Sequence, residues 1–132
     1  MWGHVSSECL DIRVGIGDET DEEWAGVRMT TEDADTCGGK VRDARTRLVV
    51  LERGEYRSKP ATKVLLSPIT GRRHQLRVHC HYIGHTIVGD FTYSNRQDVL
   101  SPRMFLHAHR LVYRYLNSNC TLIFESSNNF QF

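Results

Sequence analysis

The stretch from Leu65 to Tyr93, LLSPITGRRHQLRVHCHYIGHTIVGDFTY, decides how this chain is read. It holds the densest basic cluster in the sequence and reads as strand, tight turn, helix, turn and a second short extended piece. Val64, Leu65 and Leu66 mark a buried strand end, and Ser67-Pro68 stops it because proline cannot donate to a ladder. Thr70 is the expected N-cap, with Gly71 easing the turn. From Arg72 to about Ile83, the apolar Leu76, Cys80 and Ile83 recur at i, i+4 and i+7, one face of a helix. Gly84 supplies the stop expected just past its end.

The charges on that helix are out of place by local rules. Arg72 and Arg73 fall in the expected first turn, where the helix dipole disfavours cations. Arg73 and Arg77 stack at i, i+4 and repel mildly. Around Arg77, the local positions hold Arg73, His74, Cys80 and His81, none of them a carboxylate. Such a helix either faces an anion that it does not itself contain or presents a solvated basic face.

Outward from this stretch, the 132 residues suffice for one domain with a real core. With 39% hydrophobic and 25% charged residues, wholesale disorder is excluded. Leu48 to Leu51 is the longest apolar run, far short of a membrane span. Met1-Trp2-Gly3-His4 lacks the apolar core of a signal peptide, so secretion is not expected. Cys9, Cys37, Cys80 and Cys120 are scattered without a CxxC pair and read as reduced thiols of an intracellular protein, its compartment left open. The net charge of +1 hides an asymmetry: residues 1–60 sum to −4 and residues 61–132 to +5, so the second half is where a polyanion would dock. Asp18, Glu19, Asp21, Glu22 and Glu23 form an acidic run read as a solvated loop.

Val5 to Ile16 alternates apolar positions as a half-buried strand, and Asp18 to Gly39 reads as mostly loop. Thr46 to Glu52 is a second strand. Gly54 marks a turn toward Lys63 to Leu66, making a hairpin that leads into the helix. Leu106 to Tyr115 and Thr121 to Glu125 pair across a turn at Asn117-Ser118-Asn119. The order predicts an α+β fold with a mixed, largely antiparallel sheet and one main helix.

His79, Cys80, His81 and His85 invite a metal reading, but adjacent helix positions point about 100° apart and only His81 and His85 share a face. Neither a metal nor a cofactor is expected. The sequence has no GxSxG element and no glycine-rich phosphate loop, and Cys80 lies on the apolar face. Asp90, after Gly89, reads as a turn or capping carboxylate.

The run Thr70-Gly71-Arg72-Arg73-His74-Gln75-Leu76-Arg77-Val78-His79, followed by Gly84-His85, Gly89-Asp90 and Tyr93, resembles the RluA-type family of RNA pseudouridine synthases. That family carries TGR-x-HQ-[IL]-R-x-H and then GHPI-x-GD-x-x-Y; Leu106-His107-Ala108 resembles its later LHA element. Arg73, Thr86 and Ser94 depart from the pattern. The resemblance implies an aspartate nucleophile in an HRLD-type motif, a tyrosine against the base, and an arginine paired with the aspartate, here Arg77. It makes Arg72, Arg73 and His74 candidate RNA-binding residues and His79 and His85 packing or hydrogen-bonding ones, with RNA (tRNA, rRNA or mRNA) as partner and no cofactor.

The aspartate motif itself is not in the sequence: His109-Arg110-Leu111 is followed by Val112 and falls after the LHA element. Trp2-Gly3-His4 resembles the residues just after the tyrosine strand. Residues 1–132 are therefore expected to be the C-terminal portion of a catalytic domain, inactive alone. Arg77 would then lack its carboxylate, and a sheet edge would be left open to a second copy. The other reading is a non-catalytic RNA-binding module that kept the basic helix.

Overall fold

The computed structural model describes residues 1–99, 101–114, 121–127 and 130. Among these, the chain runs β1 (Cys9–Ile12), β2 (Ile16–Glu19), β3 (Met29–Thr31), β4 (Cys37–Arg42), β5 (Thr46–Tyr56) and β6 (Lys59–Pro68). It continues through α1 (Gln75–Tyr82), β7 (Arg110–Arg114) and β8 (Thr121–Glu125). The strands form three sheets, ordered β1-β5-β6, β3-β2-β4 and β7-β8, and every pairing is antiparallel. The α+β reading with one main helix holds.

The β5–β6 hairpin is longer than its sequence suggested. Gly54 does not turn the chain; it lies in the ladder opposite Ala61. The reversal comes at Arg57 and Ser58, whose φ values of 49° and 63° match the twist of a two-residue hairpin loop. The expected single strand from Val5 to Ile16 is two strands in different sheets. The break falls at Gly15, where a Cβ would come within 2.9 Å of Val41 Cγ1, so only glycine lets β4 pass this close. The expected loop from Asp18 to Gly39 contains the end of β2, all of β3 and the start of β4. These pieces are too short to show a period. The far hairpin pairs Arg110 with Glu125 and Arg114 with Thr121. The turn expected at Asn117-Ser118-Asn119, and Cys120, lie outside the described residues.

Helix α1 starts at Gln75, three residues later than expected, so Arg72 and Arg73 precede its first turn. Thr70 is not the cap. His74 takes the N-cap position at φ 55°, without a side-chain capping bond. Thr70 instead accepts the Arg45 N–H (2.9 Å) and donates to Gln75 Oε1 (2.6 Å), which also accepts the Arg72 N–H (3.0 Å). At the far end Gly84 sits at φ 83°. The N–H groups of Gly84 and His85 reach back to the His81 and Cys80 carbonyls (2.9 Å each), the paired bonds of a Schellman stop.

The buried residues of α1 are Gln75, Val78, His79 and Cys80; Leu76 and Ile83 are only half-buried. Cys80 packs with Met1, Val5, Leu48 and Ile87 over the first sheet. Val78 packs with Ile16, Ala44 and Tyr93 over the second. One helix thus closes two small cores, and burial pushes the Cys80 thiol up to about 12.

Between those cores runs a buried polar line. Gln75 Nε2 donates to the Arg45 carbonyl (2.9 Å) and to Thr46 Oγ1 (3.0 Å). His79 Nε2 lies 2.9 Å from the Val14 carbonyl, which can only accept, so Nε2 carries the proton. Nδ1 then accepts from the Thr46 hydroxyl at 2.7 Å. The tautomer follows from the partners. Burial lowers the His79 pKa, and burial reinforced by Arg77 and Arg73 lowers that of His74. Free imidazole titrates near ~6.5 and takes up a proton that the folded ring resists. Stability is therefore complete above that pH and declines below it, by up to about 1.4 kcal/mol per pH unit for each such histidine. Urea melts at pH 7.5 and 5.5 should show this loss, and His79→Gln should flatten the slope; an unchanged slope would refute the assignment.

Candidate functional site

The motif arginine lies on the side of α1 turned away from this line. Gln75 and His79 are four residues apart on one face, and Arg77 between them points about 200° around the helix axis from Gln75. There it meets the turn after Val88. Gly89 is required in that turn: its φ is 82°, and a Cβ would lie 2.0 Å from the Arg103 carbonyl oxygen. The turn presents Asp90, whose side chain is fully buried.

Asp90 accepts from Arg77 Nε through Oδ2 and from Nη2 through Oδ1, both at 2.9 Å, and Oδ1 also accepts the Tyr93 N–H at 3.1 Å. It is the capping carboxylate expected from sequence, and an ion-pair partner as well. The expectation that Arg77 lacks a carboxylate in this chain is thereby corrected. A search at helix spacings could not reach Asp90, which lies beyond the turn at Gly84. The paired carboxylate raises the Arg77 pKa further.

The guanidinium also lies 5.0 Å from the centroid of the buried Tyr93 ring, a cation–π distance. Tyr93 Oη accepts the Met29 N–H (2.8 Å) and meets His74 Nδ1 at 3.0 Å. Both bonds to Asp90 use one edge of the guanidinium. Nη1 has no hydrogen-bond partner among the described residues, and no buried side-chain nitrogen or oxygen among them is unpaired. Nη1 is therefore the edge that solvent or a further anion can reach. Beside the network, a hollow of about 270 Å³ is lined in part by Met29, Thr30, Val78, His81, Tyr82 and Tyr93.

The other candidates are more dispersed. Arg72 donates through Nε to the Asp43 carbonyl (2.7 Å), and the exposed Arg73 reaches the Gly26 carbonyl (3.2 Å). His74 is half-buried against Tyr93. His85 bonds the Trp2 carbonyl at 2.8 Å, a packing role like that of His79. No group of three or more metal-ligating side chains converges among the described residues, and both nitrogens of His79 are already engaged.

Sequence reasoning gave no role to four participants, although it met Gln75 and Tyr93 as motif positions. Gln75, Thr46 and Tyr93 are ordinary residue types whose roles depend on contacts across the fold. The fourth is Trp24, whose ring carries Arg28 at 4.2 Å and Arg96 at 4.3 Å from its centroid. Arg28 faces the buried Glu19 at 3.6 Å and Arg96 pairs with Glu23, so the acidic run is not simply a solvated loop.

Removing one partner of a buried ion pair leaves the other unanswered, at a cost of about 3–5 kcal/mol. Asp90→Ala should lose stability near the lower end of that range, because Arg77 keeps 19% of its side chain exposed. A chemical-denaturation midpoint equal to that of the parent would show that the pair carries no net stability.

The family profile described as RNA pseudouridylate synthase matches residues 18–82. The zebrafish (Danio rerio) RNA pseudouridylate synthase domain-containing protein 1 is 48% identical over 109 residues, spanning 83% of this chain and 36% of that protein. The dual-specificity RNA pseudouridine synthase RluA of Haemophilus influenzae is 44% identical over 71 residues, spanning 53% of this chain and 32% of that protein. A solved structure, human RNA pseudouridylate synthase domain containing 1, superposes with a TM-score of 0.86 at 35% identity, covering 98% of this chain and 52% of that one. The chain thus spans about a third of the length of these curated relatives. The sequence motif, the sheet-and-helix architecture and these likenesses agree: the chain belongs to the RluA-type family of RNA pseudouridine synthases.

Proposed function

We propose that residues 1–132 are the C-terminal portion of a catalytic domain that isomerises uridine to pseudouridine in RNA, and that this portion is inactive by itself. The observation that carries the proposal is the state of Arg77: one edge is braced by Asp90, while Nη1 is unpaired among the described residues. A nucleophilic aspartate from an HRLD-type segment outside this chain would take the free edge. Asp90 would then hold the arginine, and the arginine would keep the nucleophile ionised and oriented. In the reaction the N1–C1′ bond breaks and the C5–C1′ bond forms. The C5 hydrogen leaves to solvent and N1 gains a proton. Arg72, Arg73 and His74 would contact the RNA while the target base is turned out of its stack. The exposed Leu111, Val112, Leu122 and Ile123 of the β7–β8 hairpin would be covered by the rest of that domain or, in the chain alone, by a second copy. An intracellular compartment is in keeping with this substrate.

A second reading, a non-catalytic RNA-binding module, is favoured by the two-bond pairing of Arg77 with an internal carboxylate, Asp90. Tritium release from RNA labelled at uridine C5 separates the two. The chain alone should release none, and a version extended upstream by an HRLD-bearing segment should release it. Arg77→Met in the extended version should cut the rate by about a hundredfold or more. Silence from both lengths would favour the module. Release from the 132-residue chain would sink the proposed division of labour, because a carboxylate of this chain, Asp90 the first suspect, would then have to be the nucleophile.

A further inference from the structure

Three of the cations that have no carboxylate partner among the described residues gather in one place. Arg28, Arg45, Arg77 and Arg96 are each answered by an aspartate or glutamate. Lys40, Arg42 and Arg72 are not, and all three line one open groove of about 360 Å³ with Val41 and Asp43. Among the residues that line it, three cations stand against one carboxylate.

The groove is shaped by a bulge. Strand β4 lies at the edge of its sheet, and its register against β2 moves from Ile16↔Arg42 to Asp18↔Gly38. Gly39, Lys40 and Val41 therefore stand opposite Gly17 alone. Gly39 takes φ 68°, and Val41 sits over the bare faces of Gly15 and Gly17, where a Cβ would meet its methyl carbons at 2.9 and 3.4 Å. Two glycines thus seat the bulge and Val41 anchors it, leaving Lys40 and Arg42 exposed on either side. Arg72 forms the other wall, and its Nε donates to the Asp43 carbonyl, so the guanidinium is held by a neutral acceptor. Edge strands commonly carry lysine simply to discourage pairing with other strands. A bulge that re-aims two cations toward a third, fixed guanidinium is more than that purpose needs.

We infer that Lys40, Arg42 and Arg72 form a phosphodiester-binding groove, which takes one or two backbone phosphates of the RNA flanking the reacting nucleotide. The inference rests on the proposed action on RNA and adds Lys40 and Arg42 to it, residues from the acidic half of the chain. Contacts of this kind position the RNA without reading its sequence.

The test is fluorescence anisotropy with a labelled, uridine-containing RNA hairpin across a salt series, using the 132-residue chain. Lys40→Gln/Arg42→Gln should weaken binding by about tenfold at moderate salt and reduce the salt slope by about 1 to 1.5. A control of equal charge, Arg47→Gln/Arg57→Gln outside the groove, should bind within about twofold of the parent. Equal losses in both double variants would mean diffuse attraction and overturn the groove, while leaving RNA as the substrate. Binding unchanged in the groove variant would do the same. Failure of the parent to bind RNA would overturn the groove, while the proposed function would still stand or fall by tritium release from the extended version. Displacement of the RNA by polyglutamate at equal charge would point to an acidic protein partner and overturn the phosphodiester assignment. Thermal melts of both variants matching the parent would tie any loss to lost charge and not to unfolding.

Discussion

The hydroxyl of Thr46 sits between the Gln75 amide and the His79 ring, and the placement of the helix depends on it. Thr46 is fully buried at the start of β5, so its oxygen must be satisfied internally. It accepts from Gln75 and donates to His79, and His79 passes the line on to Val14 between β1 and β2. Each link left unmade would cost about 1–3 kcal/mol of desolvation. Apolar packing alone would let α1 slide or rotate over two small cores. The directional bonds set its rotation, and the rotation sends Arg77 outward to Asp90.

The site is therefore built from both faces of one short helix. The inner face is neutral and fully hydrogen-bonded, and the outer face carries a guanidinium with one edge already held. A carboxylate that accepts two bonds from an arginine and one from a backbone amide fixes its geometry better than either would alone. Tyr93 supports the same arginine from beneath and ties the helix start, through His74, to β3 through Met29. The TGR-x-HQ-L-R-x-H residues that mark the family thus have distinct structural duties, and of that run only Val78, at a variable position, lines the hollow beside Tyr93.

Charge is distributed in space in a way that halves of the sequence conceal. The first sixty residues are net acidic, yet two of the three unpaired cations in the groove come from them. Some of their acidic neighbours are committed elsewhere: Glu8 to Arg53, Asp11 to Arg45, Glu19 to Arg28 and Glu23 to Arg96. What is left unneutralised, and not the total, decides where a polyanion is drawn.

The sequence by itself determined the family, the hairpin before the helix, the helix stop at Gly84 and the antiparallel α+β class. Those rest on short-range signals: a contiguous motif, strand alternation, and a glycine at a position that needs positive φ. It also marked Arg77 as a cation without a local partner. Only the tertiary structure decided that the partner is Asp90, that His74 and not Thr70 begins the helix, and that β1 and β2 belong to different sheets. The reason is physical: hydrogen bonds and ion pairs between Thr46 and His79, Arg77 and Asp90, or Glu23 and Arg96 join residues across turns whose geometry no local period encodes.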